Sequence, residues 1–334
     1  MGFFIYGISP KAFFELIYTK KSTNLASSAN INQCWHKGIV RKKRLMDVRA
    51  IFAGLAFALI WSSAFTSARI IVADAPPLLA LSLRFMISGI IGVGIARLLG
   101  QSWKLTPEQW KATIVFGICQ NALYLGLNFV AMQSIEASLA SIIASIMPLA
   151  VGFSGWIIFG ERLSRLGILG LFVGAFGVAL IMGVRLQSGA DLLGIILCAI
   201  AVISLTIATL MMRGASSGGN LLMIVGLQML VGSILLVIPG LLFEQPTIVL
   251  SPNLIIAFAY SVFIPGLVGT FIWFWLVSRI GAVKAATFHF LNPFFGVAIA
   301  VIFLGESLRF SDIIGVIVIM AGILAVQLAR QTLD

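Results

Sequence analysis

Charged residues are scarce in this sequence, and their scarcity excludes an ordinary soluble domain. Only 10% of the 334 residues are Asp, Glu, Lys or Arg, whereas 60% are hydrophobic. Soluble proteins carry about 25% charged residues. Apolar runs of the length that crosses a bilayer, about 20 residues, recur along the chain, and the mean hydropathy is +1.10. The sequence therefore predicts an integral membrane protein built of helices, because backbone groups cannot stay unpaired in lipid.

Cysteine and histidine are rare as well, which removes most routes to metal binding and catalysis. The three cysteines, Cys34, Cys119 and Cys198, form no CxxC pair and indicate neither a disulfide framework nor a metal site. The two histidines, His36 and His289, lie far apart in the sequence. An intramembrane enzyme is therefore disfavoured, and we predict no catalytic residue, no metal and no cofactor.

The sequence also lacks the usual means of driving transport with a nucleotide. It contains no phosphate-binding loop of the form GxxxxGK[ST]. All eleven acidic residues lie in tails, in loops or at the ends of apolar runs. A relay of intramembrane carboxylates, as proton pumps use, is therefore not expected, and a gradient is the expected driving force.

What the sequence does contain is a series of long apolar runs. We predict ten membrane-spanning helices, at residues 48–69, 77–99, 109–132, 136–159, 165–184, 191–212, 220–243, 253–278, 282–304 and 309–329. Lys and Arg fall mostly on one side of these spans, and the other side carries only Arg69, Arg185 and Arg309. Because positive residues favour the cytoplasmic side, both termini are predicted to be cytoplasmic.

The first 45 residues differ from the rest in composition. They mix Ser, Asn and Lys with a basic cluster, RKKR, at 41–44, and no packed domain is expected there. The stretch MDVRAIFAGLAFALIW, from Met46, is typical of the start of a membrane protein. We interpret residues 1–45 as an N-terminal tail, disordered or incorrectly assigned, with an organelle transit peptide as the less favoured alternative.

The apolar part repeats itself at an offset of 145 residues. Residues 135–177 match residues 280–322 without a gap at twelve positions, and five of the matches are proline, glycine or glutamate. The repeat unit is therefore about five spans long. An odd number of spans inserts the second copy upside down, which is typical of secondary transporters with alternating access. We predict an all-α protein of ten transmembrane helices in two inverted repeats, at residues 46–185 and 186–334.

Three groups of residues resemble the EamA-type members of the drug/metabolite transporter superfamily. They are LIWSSAFTSARI in the first span, LSLRF in the second, and the two segments in which a proline is followed by Gly-Glu. The resemblance covers residues 48–329. It implies a ten-helix, two-repeat transporter, commonly an exporter of amino acids or related metabolites in the bacterial inner membrane.

Polar and aromatic side chains inside the spans are candidates for substrate binding. The intrinsic pKa of a histidine is near neutral, which makes His289 a candidate to bind substrate or sense protons, and Asn292 shares its helix face. In the third span, Asn121, Tyr124 and Asn128 follow helical spacing. A neutral histidine that is hydrogen-bonded between helices is the alternative for His289, and helix packing is the alternative for the polar stripe.

Further candidates lie on other spans. Ser141 and Ser145 belong to a serine stripe on the fourth span, Trp61 and Ser62 lie in the first span, and Trp273 lies in the eighth. Helix packing is again the alternative for the serines. A cavity with aromatic walls and a few amide or hydroxyl groups would suit a neutral or zwitterionic molecule.

Arg84 is a full charge placed well inside a span. Burial of a lone charge costs about 2.5 kcal/mol or more on insertion scales, so Arg84 is expected to find a partner or water. It either extends outward, toward Asp74, or attracts a substrate carboxylate.

Four residues of the repeated segment are interpreted as hinge or gate residues. Pro148 and Pro293 lie 12 residues before their glycines, near the middle of the bilayer, where a proline kinks a helix and lets it pivot. Glu161 and Glu306 begin the turn into the next span, where a carboxylate favours the N-terminus of the following helix. Ion coupling by the two glutamates is the alternative.

These observations predict a secondary transporter, with export as the favoured direction, of small neutral or zwitterionic metabolites such as amino acids. A carrier for anionic or nucleotide-like metabolites is disfavoured, since it would need several intramembrane cations. A non-transporting membrane scaffold remains the alternative from another class. The expected partners are a small-molecule substrate and the lipid bilayer, without nucleic acid. The sequence leaves monomer and homodimer open. Gly170 and Gly174 form a GxxxG pair, for which close packing within the chain is the favoured role and a dimer contact is the alternative.

Overall fold

The computed structural model describes residues 48–160, 164–211, 218–281, 285 and 288–331, and these residues contain helices and no strand. The helices are α1 (Val48–Asp74), α2 (Pro77–Leu98), α3 (Pro107–Ala131), α4 (Ala137–Ala144), α5 (Met147–Phe159), α6 (Arg165–Gln187), α7 (Leu192–Met211), α8 (Leu221–Phe243), α9 (Pro252–Ile280), α10 (Asn292–Leu304) and α11 (Phe310–Gln331). Helices α4 and α5 follow each other within one apolar span.

The predicted all-helical membrane fold is confirmed, and the count of ten spans stays a prediction. In the described part of the chain, nine spans are long and apolar enough to cross a membrane, and Phe288–Leu304 is a shorter apolar helix. This shorter helix occupies the predicted ninth span, where a 3-10 turn at Phe288–Leu291 precedes the 13 residues of α10. The tail at 1–45 lies outside the described residues, and the repeat boundaries at 185 and 186 stay a prediction.

The two prolines of the repeat lie at helix starts. Pro148 is in the first turn of α5 and Pro293 is in the first turn of α10. Proline lacks an N–H, and its ring clashes with the carbonyl four residues earlier. For Pro148 the result is an interruption between α4 and α5, where the sequence had predicted a kink within one continuous helix.

Local features recur at the same offset as the sequence repeat. Helix α3 contains a π-helical segment at Gly117–Leu125, and α9 contains one at Val262–Gly269. Such wide turns are frequent at functional sites. Helices α5 and α10 both end at a left-handed glycine, Gly160 with φ 65° and Gly305 with φ 66°, a conformation that glycine adopts without a steric cost.

Glycines bring α6 and α11 into close contact. A Cβ on Gly170 would lie 2.8 Å from the Gly322 carbonyl oxygen, and a Cβ on Gly315 would lie 3.3 Å from that of Gly177. The residue numbers rise in one helix as they fall in the other, so the two helices are antiparallel. Small residues allow this approach, and Gly174, which also lies against Gly322, completes a face that is used for packing within the chain.

Helices α2 and α8 form a second close pair. The Ser82 hydroxyl donates to the Ser233 carbonyl at 2.9 Å, and the Ser233 hydroxyl donates to the Ser82 carbonyl at 2.8 Å. Gly89 and Gly226 also face each other. A Cβ added to either glycine would lie 3.0 Å from the carbonyl oxygen of the other. These helices therefore approach through small residues, and they help to enclose the space between the two halves of the chain.

Candidate functional site

A cavity of about 810 Å³ lies within the helix bundle. Its walls come from α1, α2, α3, α5, α7, α8 and α9, and from His289 in the turn before α10. Its volume falls within the range of roughly 300–1,000 Å³ that is typical of small-molecule sites. Both sequence repeats contribute residues to it.

The cavity is open at one end of the bundle and closed at the other. Thr106, Glu108 and Gly218 line it where the helices end, and these residues are exposed; we call this the mouth. Phe129 and Met132 line it at the opposite limit and are only 2% and 1% exposed; they belong to what we call the floor. The part of the bundle beyond the floor is called the closed end.

Three aromatic rings surround His289 in the cavity wall. The ring centroids of Phe57, Trp61 and Trp273 lie 5.2, 6.1 and 5.1 Å from that of His289. Phe57 also stacks on Trp273 at 4.8 Å. The structure therefore brings together three predicted site residues from distant parts of the sequence. Their rings form an apolar wall that suits a hydrophobic or aromatic group.

Asn292 contacts His289 on the side away from the cavity. The Asn292 Nδ2 atom lies 2.8 Å from His289 Nδ1, and both side chains are buried. Asn292 does not line the cavity. The Asn292 backbone carbonyl accepts hydrogen bonds from the hydroxyls of Ser62, at 3.2 Å, and Ser141, at 3.4 Å. In this conformation Ser62, Ser141 and Asn292 therefore join α1, α4 and the start of α10.

The approach of α4 to α10 is very close. A Cβ on Gly296 would lie 1.8 Å from the Ser141 Oγ, so only glycine fits there without a shift of one helix. Ser145, the other predicted serine of this stripe, donates to the Ile142 carbonyl at 2.6 Å and does not line the cavity. The serine stripe therefore lies in helix packing.

The polar stripe of α3 divides between two environments. Gln120, Asn121 and Tyr124 line the cavity, whereas Asn128 does not. Asn128 donates to the Tyr124 carbonyl at 2.7 Å and accepts from the Cys198 thiol at 3.3 Å, so it faces α7. The prediction assumed regular α-helical spacing. The π-helical segment separates Asn128 from the others, because a wider turn changes which residues share a face.

Arg84 points into the cavity and is 5% exposed. Its Nε donates to the Ser261 carbonyl at 3.1 Å, and its guanidinium carbon lies 5.3 Å from the centre of the Phe85 ring. The alternative in which Arg84 extends toward Asp74 is wrong for this structure, since the Asp74 carboxylate accepts from the Ser251 hydroxyl instead. Arg185, by contrast, forms ion pairs with Glu136 and with Asp312.

Several lining residues were not among the sequence candidates. Gln228 lines the cavity from α8, and its backbone carbonyl accepts from Asn121 Nδ2 at 2.9 Å. A single glutamine within an apolar run is a pattern that could have identified Gln228 as a candidate from the sequence. Phe57, Phe85 and Met147 also line the cavity, but no pattern distinguishes them in a chain with 25 phenylalanines and 11 methionines.

Glu306 lies at the closed end and contacts α4. Its carboxylate accepts from the backbone N–H groups of Ala137, at 2.7 Å, and Ser138, at 3.0 Å. The prediction that Glu306 contacts the N-terminus of the following helix, α11, is wrong. At that N-terminus the Asp312 carboxylate accepts from the Arg309 N–H at 3.3 Å. A carboxylate at a helix N-terminus is favourable wherever it comes from. Glu161, the equivalent residue of the first repeat, lies outside the described residues.

Arg185 joins three segments at the closed end. It donates to both carboxylate oxygens of Asp312, at 3.3 and 2.7 Å, and it forms an ion pair with Glu136. Arg185 and Asp312 are 3% and 1% exposed. Burial of such a pair is tolerated when its hydrogen bonds are satisfied. The end of α6 and the start of α11 are thereby fixed to the start of α4.

Two further acids at the closed end hold helix starts in a similar way. The Glu244 carboxylate accepts from the N–H groups of Leu78, at 2.8 Å, and Leu79, at 3.0 Å, at the start of α2. The Ser134 hydroxyl and the Gly194 N–H hold the pKa of the Asp191 carboxyl below its ordinary value. A second cavity of about 730 Å³, lined in part by Glu136 and Glu306, lies at this end.

The comparisons with known proteins agree on one family. A model of the EamA-like transporter family matches residues 48–183 and again residues 192–328. The chain is 29% identical to the uncharacterized transporter YvbV of Bacillus subtilis, over 84% of this chain and 92% of that protein. It is 24% identical to the uncharacterized inner membrane transporter YedA of Escherichia coli, over 86% and 94%.

Two further matches are a protein from a third organism and a solved structure. Protein PecM of Dickeya dadantii is 22% identical, over 80% of this chain and 89% of that protein. A solved crystal structure matches with a TM-score of 0.63 and 18% identity, over 85% of this chain and 99% of that one. At that identity the likeness shows a shared fold.

Proposed function

The chain belongs to the EamA-like transporter family, and from that premise we propose that it is a secondary transporter that works by alternating access. Its substrates are small neutral or zwitterionic metabolites such as amino acids, and export is the favoured direction. The observation that carries this proposal is the central cavity of about 810 Å³, which is open at the mouth and closed at the floor. A site that reaches one face of the membrane at a time is what alternating access requires.

The pairing of equivalent helices supports two inverted repeats. Gly170 contacts Gly322 and Gly177 contacts Gly315, and at the offset of 145 the equivalents of Gly170 and Gly177 are Gly315 and Gly322. Gly170 thus contacts the equivalent of Gly177, and Gly177 contacts the equivalent of Gly170, on antiparallel helices. A two-fold axis in the membrane plane produces this swapped pattern, and such an axis relates inverted repeats.

The contacts of the closed end support a gate there. Glu306, from the second repeat, holds the start of α4, from the first repeat. Arg185 likewise holds Asp312 across the two repeats. Both contacts must break or rearrange if the two halves move apart at this end. The second cavity, beyond the floor, is the space through which a substrate would then leave.

The distribution of positive charge supports an orientation. Lys104 and Lys111 lie at the mouth end, beside Thr106, whereas Arg69 and Arg185 lie toward the closed end. With positive residues inside, the mouth faces the cytoplasm of a bacterial inner membrane and both termini are cytoplasmic. A cavity that loads from the cytoplasm is consistent with export.

A flux assay in reconstituted liposomes tests the proposal. The purified chain is incorporated into liposomes, and exchange of radiolabelled amino acids and related metabolites is measured against protein-free liposomes. We expect saturable exchange of at least one compound and no requirement for ATP. No protein-dependent exchange of any member of the panel would contradict the proposal and favour a scaffold.

A pair of matched variants shows whether flux passes through the cavity. Ala112→Trp fills the cavity wall near the mouth, whereas Ile114→Trp places the same ring on the exposed side of the same helix, where Ile114 is 43% exposed. Ala112→Trp is expected to abolish exchange, and Ile114→Trp is expected to retain it. Equal flux in both variants would place the path elsewhere.

A further inference from the structure

Resting on the transport function above, we propose that the substrate is a monocarboxylate with an apolar or aromatic body, and that its carboxylate binds the Arg84 guanidinium. The proposal removes neutral molecules from the substrate class given above and limits it to molecules that carry one carboxylate, both zwitterions and monoanions. It also makes the amino group of an amino acid dispensable.

Arg84 is a buried cation for which the described residues provide no counterion. One of its nitrogens, Nε, is occupied by the Ser261 carbonyl. The structure gives the two terminal nitrogens no acceptor among the described residues, and no described carboxylate lies within ion-pair distance. A buried charge of this kind calls for a partner. Since Arg84 lines the cavity, the free side of the guanidinium is available to a ligand.

The number of charges argues for a monoanionic group. Arg84 is the one Lys or Arg among the described residues that line the cavity. A planar guanidinium binds a carboxylate through two parallel hydrogen bonds. A phosphate dianion would keep a second negative charge without a partner in a largely apolar space, which is costly. The cavity is therefore matched to one carboxylate.

Two further polar groups in the cavity also lack partners. The Tyr124 hydroxyl and the Gln228 Oε1 are buried, and neither makes a hydrogen bond of normal geometry within the described structure, although the hydroxyl faces the Trp61 side chain. Both residues line the cavity. A buried polar group without a partner lowers stability by about 1–3 kcal/mol. A bound substrate removes that cost when it offers an acceptor to the hydroxyl or an N–H or O–H to the amide oxygen.

The rest of the wall defines the body of the substrate. Phe57, Trp61 and Trp273 form one aromatic face around His289. Phe85 lies beside Arg84, and Phe129 belongs to the floor. Aromatic walls of this kind favour hydrophobic and aromatic groups. The expected substrate therefore combines one carboxylate with a ring or a branched aliphatic chain.

Calorimetric titration of the purified full chain in detergent tests the inference with four probes. They are hydrocinnamate, its neutral amide hydrocinnamamide, phenylalanine and phenyl phosphate. We expect hydrocinnamate and phenylalanine to bind about tenfold or more tightly than the amide, because a charge-assisted hydrogen bond distinguishes them. Phenyl phosphate is expected to bind more weakly than hydrocinnamate at a pH where it is a dianion.

Substitutions assign the preference to Arg84. Arg84→Gln should remove the difference between acid and amide, and Arg84→Lys should keep part of it, because the charge remains while the planar fork is lost. Arg97→Gln, which removes an exposed cation from the same helix, should change neither affinity. Equal binding of acid and amide by the unsubstituted protein, no binding of either, or a preference that survives Arg84→Gln would overturn the inference.

The titrations of the unsubstituted protein decide the question of substrate class even if Arg84→Gln fails to fold. The result can also be separated from the transport function. If liposomes exchange neutral compounds while acid and amide bind equally, the substrate class is wrong and the transporter stands. If hydrocinnamate binds through Arg84 but no compound of the flux panel crosses the membrane, the transport function fails instead.

Discussion

The carboxylates of the closed end and the arginine of the central cavity differ in how the described residues pair them. At the closed end, Glu306, Glu244 and Asp312 are each held by backbone N–H groups or by Arg185. In the cavity, Arg84 has no carboxylate partner, and the Tyr124 hydroxyl makes no hydrogen bond of normal geometry, in the described structure. The difference separates carboxylates that hold a conformation from a cation that is free to bind a ligand. Substitutions of the closed-end carboxylates and Arg185 should therefore affect stability and the balance between the two conformations, and substitutions in the cavity should affect substrate binding and transport.

The largest effect on stability is expected from Arg185→Ala. The substitution leaves Asp312 charged and buried, which lowers the free energy of unfolding by about 3–5 kcal/mol. Thermal unfolding in detergent, followed by circular dichroism, measures the loss. Arg97→Ala removes an exposed arginine and serves as the control, with an expected change below about 1 kcal/mol. Similar losses in the two variants would contradict the structural role given to the closed end.

A second substitution tests whether Ser141 belongs with the packing residues. Gly296→Ala places a Cβ within 1.8 Å of the Ser141 Oγ and should destabilise the protein by about 1–3 kcal/mol through overpacking. Adding Ser141→Gly should restore the unfolding temperature, because it removes the side chain with which the new Cβ clashes. A Ser141→Gly variant that unfolds normally but no longer binds substrate would move Ser141 from packing to the site.

Tyr124→Phe should weaken substrate binding without lowering stability, which is the pattern expected of a binding-site residue. Removal of a buried hydroxyl without a partner should leave the unfolding temperature unchanged or raise it, with a gain of about 1 kcal/mol. The same change should weaken substrate binding by roughly two- to tenfold, since one hydrogen bond is lost. Unfolding curves and titration of the same sample provide both values. A clear loss of stability would show that the hydroxyl has a partner in the protein.

The smallest effect is expected at a hydrogen bond that lies away from both regions. Ser82→Ala removes one half of the reciprocal contact with Ser233 between α2 and α8. Hydrogen bonds between membrane helices contribute about 0.6 kcal/mol on average. The unfolding temperature should fall slightly, and flux should not change. A loss of flux would mean that this helix pair takes part in the conformational change.

The fold was largely predictable because each span must satisfy its own backbone hydrogen bonds within an apolar run of fixed length. Helix positions, the repeat and the family all follow from the sequence. The composition of the site followed less well, because lining depends on how helices are rotated against one another. The π-helical segment that removes Asn128 from the cavity and the contact of Glu306 with α4 both depend on tertiary structure. Regular spacing does not contain that information.

The central claim is that the cavity opens to each face in turn, and Glu306→Gln tests it most directly. The experiment places one cysteine, either at Met132 on the floor or at Ala112 in the wall near the mouth, in a background with Cys34, Cys119 and Cys198 replaced by serine. A membrane-impermeant thiol reagent is then applied to either face. The account predicts that Glu306→Gln increases labelling of Met132→Cys from the closed end and decreases labelling of Ala112→Cys from the mouth. Labelling that increases at the closed end without a decrease at the mouth, or that does not change at either position, would contradict alternating access.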